Sequence, residues 1–572
     1  SPRADDYTFL RRAFLDLIGR IPTVEEVRDF EEDRAADKRH RLIRRLLHET
    51  RYRPLNKGKP VNINGKSGAE ARYLEFDYAG EFAEHYANVW TVWLMTRTGP
   101  ELYRRQMRLW LTEEFRKNTP YRDLVVRILT ATGKNNDNGA VNYTLAHLGT
   151  PNPEDVTASE GAYDAVPITS RTTRLFLGVQ TQCTQCHDHP FNPDWQQKSF
   201  WGVNAFFRQV TRDPPPPRDN RAAEMVVEVR DDPTLNRTAT VFYERRNGVV
   251  DSTEAQFLRD LGADPESGAP GKGVPVAARK SRRALLAEYV VTHDNFAKAY
   301  VNRVWGLLFG RGLNELPAVD DFGEHNPVVH PELLDGLARA FAEYNYDTKA
   351  LLEWICNSDA YQLHYVALPG VNDKPEAAPY FARMGMKAMT PEQLFDSLQT
   401  ALNAERDADR EARAQLREAW MQKLVRNFGD DEGNEVNFNG TVIQALLMMN
   451  GPELNAELTR DSDRNPVKLA IAYGHRHGRS VAQKESITID DLYLRALGRH
   501  VGTRPSPAFG SGRARSMSEL DAIRNELEAA KKQALLTDRN AARDIASGAF
   551  HKAFFEDLFW ALLNTNEFIL NH

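Results

Sequence analysis

Apolar positions recur at helical spacing through roughly the first 130 residues, which predicts a run of amphipathic helices. In DYTFLRRAFLDLIGR, Phe9, Phe14, Leu15, Leu17 and Ile18 follow that rhythm. IPTVEEVRDFEED starts a second helix, with Thr23 placed as N-cap and Glu26 completing a capping box. RLIRRLLHETRYR at 41–53 is basic, yet Leu42, Ile43, Leu46 and Leu47 read as the buried stripe of a helix whose charges are solvated. EFAEHYANVWTVWLM and LYRRQMRLWLTEEF continue the pattern, with Trp90, Trp93 and Trp110 in stripes that read as packing core.

The rhythm then stops. Residues 132–170 accumulate Gly, Asn, Pro and Ser and read as a long loop, of the kind that often carries function. A helix, TTRLFLGVQ, follows. PFNPDWQQKSFWGVNAFFRQV then gathers Phe191, Trp195, Phe200, Trp201, Phe206 and Phe207, which suit either a cofactor wall or plain core. PPPPRDN breaks the chain, and EMVVEVRDD and ATVFYERRNGVV alternate like two strands, the second entering an Asn-Gly turn. ESGAPGKGVP links onward, helices return from about 280, and a Gly- and Pro-rich loop at 501–515 precedes a charged helix at 517–536. The predicted fold is mainly α, with a small β insertion at 222–252. Three units follow: a helical region 1–210, a linker with the β insertion at 211–278, and a second helical region 279–572.

Composition narrows the function classes. The 572 residues are 41% hydrophobic and 27% charged, with a net charge of −6 and a pI near 6.2. No basic stripe marks a nucleic-acid footprint, and no apolar run is long enough to span a bilayer. A chain that begins at Ser1 reads as a processed or trimmed form. No GxSxG, HExxH, Walker A or GxGxxG element stands in a fitting context.

The most specific chemistry lies in Cys183-Thr184-Gln185-Cys186-His187. The chain has only three cysteines, and two of them form a CxxCH motif. That spacing attaches c-type haem: two thioethers to the porphyrin, and an imidazole placed as axial iron ligand. One covalent haem on Cys183 and Cys186, with His187 bound to iron, is therefore expected. Two other readings stay open, a non-haem metal site using Cys183, Cys186, His187 and His189, and a dithiol pair. Cys356, in apolar LLEWICNSDAYQL, reads as a buried free thiol. Thioether attachment takes place outside the cytoplasmic membrane, so haem implies a periplasmic or secreted protein.

Several stretches resemble a pair of domain-of-unknown-function families associated with planctomycete cytochromes c. FLDLIGRIPTVEEVRDF, NTPYRDLVVRILTATG and LFLGVQTQCTQCHDHPFNPDW resemble the first. YVNRVWGLLFGRGL, VDDFGEHNPVVHPELLDGLA, MTPEQLFDSL and FWALLNTNEFILNH resemble the second. The resemblance implies a secreted, helical, haem-bearing protein from genomes rich in polysaccharide-degrading enzymes, and names no reaction.

Around the haem, His189 follows His187 too closely to reach the far face and is a candidate for acid–base work beside it, with Asp188 and Asp321. Trp195 is a candidate cofactor wall. Asp320 and Asp321 in VDDFG, with Asp188 and Arg303, line a site as acid–base groups or as ligands for Ca²⁺, or else form an exposed turn with an Arg–Asp pair. Arg303 and Arg311 are candidates to neutralise haem propionates. For the distal side the candidates are His147, His330, His364, Met448 and Met449, of which His330 also suits a helix start and the two methionines suit core packing. The expected function is a haem c oxidoreductase acting on carbohydrate-derived substrate, with an accessible distal face and a separate redox partner. The alternatives are a haem electron-transfer or scaffolding subunit and a non-haem Cys/His metalloprotein.

Overall fold

The computed structural model describes residues 1–50, 76–97, 99–191, 195–215, 226–257, 281–403, 458–503 and 518–571, together with 417, 419, 420 and 456. Met448 and Met449 lie outside the described residues, as does most of the 501–515 segment.

The N-terminal helices are α1 (Asp6–Ile18), α2 (Val24–Glu32), α3 (Lys38–His48), α4 (Tyr78–Met95), α5 (Glu101–Arg116) and α6 (Tyr121–Thr130). The capping box on α2 forms as predicted: Glu26 donates its amide to the Thr23 hydroxyl at 3.3 Å and accepts the Thr23 amide at 2.7 Å. Leu42, Ile43, Leu46 and Leu47 are the buried stripe of α3. Trp90 and Trp93 are buried; Trp110 packs against the same core.

The stretch 132–170 is not the long loop that its composition predicts. It holds β1 (Gly133–Lys134), α7 (Val141–His147), the one-turn α8 (Thr157–Glu160) and the start of α9 (Val166–Leu177). Its polar residues are structural. Buried Asn135 pairs with Val227 through its own amide (2.9 Å) and its side-chain oxygen (3.0 Å), doing for the backbone what a strand neighbour would. Gly139 lets the chain pass against α5, where a Cβ would lie 2.5 Å from the Gln106 carbonyl.

After α10 (Gln197–Asn204), the strands are β2 (Val210–Asp213), β3 (Glu228–Asp231), β4 (Thr240–Glu244) and β5 (Val250–Glu254). β3 pairs antiparallel with both β2 and β1, whereas β4 and β5 form a hairpin whose turn contains Asn247 and Gly248, the glycine at φ +81°. The predicted β insertion is thus present, and it recruits β1 and β2 from outside the predicted range.

Helices then return: α11 (Arg282–Thr292), α12 (Asn295–Phe309), α13 (Pro331–Glu343), α14 (Thr348–Cys356) and, past β6 (Lys387–Ala388), α15 (Pro391–Ala401). The last are α16 (Pro466–His477), α17 (Val481–Leu497), α18 (Glu519–Thr537), α19 (Ala541–Ser547), α20 (Ala549–Leu563) and α21 (Asn566–Ile569), closed by β7 (Leu570–Asn571). The fold is mainly α with small sheets. Among the described residues no helix is long and apolar enough to cross a membrane.

Two apolar cores organise these elements, and α1 serves both. Phe9, Leu10, Phe14 and Leu17 enter the first, which runs on through α4, α6 and α12 to Phe381. Leu15 enters the second, with α15, α17 and α20. A helix apolar on nearly every face must be enclosed, which explains the dense FLDLI sequence. Asp16 sits between the cores, accepting from the Tyr361 hydroxyl (2.8 Å), the Lys387 ammonium (2.8 Å) and the Asn571 amide (2.7 Å). β6 pairs with β7 beside it, so the first helix and the last strand share one buried anchor.

Candidate functional site at the CxxCH loop

α9 ends at Gly178, in the left-handed region at φ +66°. Only glycine fits, because an added Cβ would meet the Phe322 ring at 2.6 Å. The chain then turns through a short 3₁₀ segment, Gln182–Gln185, that carries the motif.

Side-chain hydrogen bonds fix this turn from several directions. The Thr184 hydroxyl donates to the Thr181 carbonyl (2.7 Å), and the Gln185 carbonyl accepts from Gln197 Nε2 (3.0 Å) and Trp201 Nε1 (3.1 Å). The Asp188 carboxylate accepts the Gln197 amide at 2.8 Å, at the start of α10. Asp188, expected to take part in chemistry, therefore caps a helix. Phe200, Phe206 and Phe207 are buried core, and Trp201 stacks on Tyr243.

The motif itself faces outward. Cys183 is half-buried, and Cys186 and His187 are exposed; both thiols are free. His187 Nδ1–H donates to the Asp188 carbonyl at 2.6 Å, leaving Nε2 as the lone-pair nitrogen. Phe191 is 60% exposed beside it. His189 is buried, its amide bonded to the Trp195 carbonyl (2.8 Å) and its ring edge-on to the Trp195 indole, centroids 4.8 Å apart. Trp195 is 5% exposed, and its Nε1 is buried without a hydrogen-bond partner among the described residues.

The second helical region completes the site. The Phe322 amide donates to the Gly178 carbonyl at 2.8 Å, joining the VDDFG turn to the CxxCH loop. Asp320 is buried between Arg174 (2.8 Å) and Arg303 (3.0 Å). Burial alone would raise its carboxyl, but the two guanidiniums hold it below the usual carboxylate range. Arg303 is buried with it, over the Trp93 ring at 5.5 Å. Its charge is committed to Asp320, so the Arg–Asp pair exists but is an internal clamp, and not an exposed turn. Arg311 bonds the Asn314 and Glu315 carbonyls.

Asp321 points the other way and accepts from His325 Nε2 at 3.0 Å. The His325 ring lies against Phe191 (centroids 4.9 Å) and His189 (5.8 Å), and its Nδ1 is buried without a partner among the described residues. Burial raises the Cys183 thiol, and the Asp321 charge raises it further. Burial, with His325 and His187 nearby, lowers His189. Cys183, His187, His189, Asp321 and His325 thus sense one another across the junction.

The expected distal candidates have other partners. His147 is half-buried and donates to the Leu94 carbonyl at 2.6 Å. His330 precedes α13 as expected, with Nε2 donating to the Pro379 carbonyl (3.0 Å). His364 accepts the Val366 amide at 3.0 Å. His325, not among those candidates, is the histidine that the fold brings to the loop. It stands four residues after Asp321 in VDDFGEH, a spacing that could have flagged the pair. Among the described residues, no group of three or more His, Cys, Asp or Glu side chains is placed to hold a metal ion, Asp320 and Asp321 included.

The donor set fits a c-type haem. Two free thiols sit at the required spacing, the histidine after them presents Nε2, an exposed aromatic lies in the same loop, and the Trp195 N–H and His325 Nδ1 have no partner among the described residues.

These features define a helical protein in which two chain regions meet at one cysteine–histidine loop. Residues 1–55 and 72–212 match the family model PSCyt2, protein of unknown function (DUF1549), and residues 282–415 match PSD1, protein of unknown function (DUF1553). The chain belongs to these paired families. The CxxCH loop lies in the first match, Asp320, Asp321 and His325 in the second. No curated protein and no solved structure matches the chain.

Proposed function

We propose that this chain is a mono-haem c-type protein of the periplasm or extracellular space, working in oxidation–reduction. The observation that carries the reading is the His187 tautomer within a CxxCH motif. Nδ1–H is spent on the Asp188 carbonyl, so the nitrogen needed for an axial bond is bare beside two free thiols. Bound haem supplies one-electron chemistry. The chain's own residues hold the attachment turn rigid through Thr184, Gln197 and Trp201, and Asp188 caps the helix behind it. Asp321 fixes the His325 ring against the loop. Compartment follows from where thioethers are made.

As an oxidoreductase, the protein would use the His189, Asp321 and His325 group as its polar wall, with a carbohydrate-derived substrate as the resemblance implies. The exposure of Cys186, His187 and Phe191 favours a second reading, an electron-transfer subunit that docks its haem edge on a redox partner. Absorption spectra test the common claim. Protein made in a host with c-type maturation should show a Soret band that survives denaturation, and Cys183→Ala with Cys186→Ala should abolish it. A colourless wild-type protein refutes the reading.

A further inference from the structure

Far along the chain from the CxxCH loop, and outside both family matches, α16, α17 and α18 enclose an open cavity of about 420 Å³. Its polar wall is a wall of donors. His477 ends α16, Arg479 follows it, and Arg524 reaches in from α18. Gln483 has its side-chain oxygen already occupied by the Arg479 amide (2.9 Å) and the Ser480 amide (3.3 Å), which leaves its NH₂ to face a ligand. The Ser486 hydroxyl donates to the Ala482 carbonyl at 2.8 Å, and Ala482 and Ile487 supply the apolar part.

Among the described residues, nothing acidic lines this cavity. Three acidic groups of the same helices are engaged elsewhere: Glu485 and Glu528 both pair with Lys531 at 2.8 Å, and Asp521 accepts from Ser518 (2.6 Å). Arg524 Nε is buried without a partner among the described residues, and no carboxylate there pairs with Arg479 or Arg524. Two guanidiniums with no carboxylate partner among the described residues stand out in a chain of net charge −6, where Arg174 and Arg303 beside the CxxCH loop are neutralised by Asp320.

We infer that this cavity binds an oxyanion, a sulfate or phosphate monoester carried on a small organic body. Planar N–H forks match tetrahedral oxyanions in a way that a lone ammonium does not. The volume exceeds what a bare ion fills and falls in the range of small-molecule sites, about 300–1,000 Å³. The apolar patch of Ala482 and Ile487 would meet the organic part.

Titration calorimetry on the full chain tests this with phenyl phosphate, phenyl sulfate, inorganic phosphate, inorganic sulfate and phenol. Saturable binding of at least one ester is expected, tighter than its inorganic ion by about tenfold and weakening with added salt, with phenol silent. Comparing the esters separates phosphate from sulfate recognition. Arg524→Gln and the exposed Arg479→Gln should each weaken the ester about tenfold or more while circular dichroism stays unchanged. No saturable ester binding, or binding that both variants retain in full, overturns the inference. Neither outcome depends on whether haem is present.

Discussion

The His325 ring lies 5.8 Å, centre to centre, from the His189 ring, although one belongs to the PSD1 match and the other to the PSCyt2 match. The two matched regions of this chain thus meet at the CxxCH loop. The Phe322–Gly178 backbone bond and the Arg174–Asp320–Arg303 clamp hold the regions in register. If the chain carries haem as proposed, His325→Ala should leave it attached, since no thioether residue is touched, yet alter the Soret position or cyanide affinity. An unchanged spectrum and affinity would remove His325 from the site.

Asp320 is the anchor of that clamp. Asp320→Ala takes the carboxylate from the buried Arg303 guanidinium and from the partly exposed Arg174, a change that costs about 3–5 kcal/mol where one partner of a buried pair is lost. Urea unfolding should show a loss of that order. A loss under about 1 kcal/mol would mean that water reaches the arginines.

Gly19 should tolerate no side chain. It ends α1 at φ +77°, and a Cβ would lie 2.4 Å from His85 Nδ1. Gly19→Ala combines left-handed strain with that clash and should cost about 2 kcal/mol or more, read as a lowered Tm.

Stability should depend on pH at both ends. Burial lowers His85, His147 and His293 to about 4 each, well under their unfolded value. Such groups are neutral in the fold, so their contribution is complete above pH 6.5 and is lost as pH falls toward 4. His500 is opposite. Hydrogen bonds to Asp490 (2.6 Å) and Glu31 (2.8 Å) raise it to about 10. Its stabilising charge is complete below pH 6.5 and disappears as pH rises through 10. His500→Gln should lower Tm at pH 6 and matter little at pH 10.5. An equal Tm deficit at both pH values would mean that packing, not charge, is what His500 provides.

Local pattern made much of this architecture readable. The α2 capping box, the α3 stripe and the Asn-Gly hairpin each depend on neighbours within a few residues, which spacing records. The 132–170 stretch reads as a loop in sequence because Asn135 and Gly139 serve distant partners, Val227 and Gln106, and look like loop residues when taken alone. Cys183, Cys186 and His187 were legible because the motif is contiguous. For Arg303 the charge is visible in sequence and the buried partner, Asp320, is not. His325 is likewise not legible in sequence, since its place beside His189 is set wholly by tertiary packing.

Intact mass under denaturing conditions tests the central claim most directly. Protein produced in a host with c-type haem maturation should carry the polypeptide mass plus one haem, reduced to the bare polypeptide in the Cys183→Ala, Cys186→Ala double variant. A wild-type protein from that host with only the polypeptide mass would contradict the account.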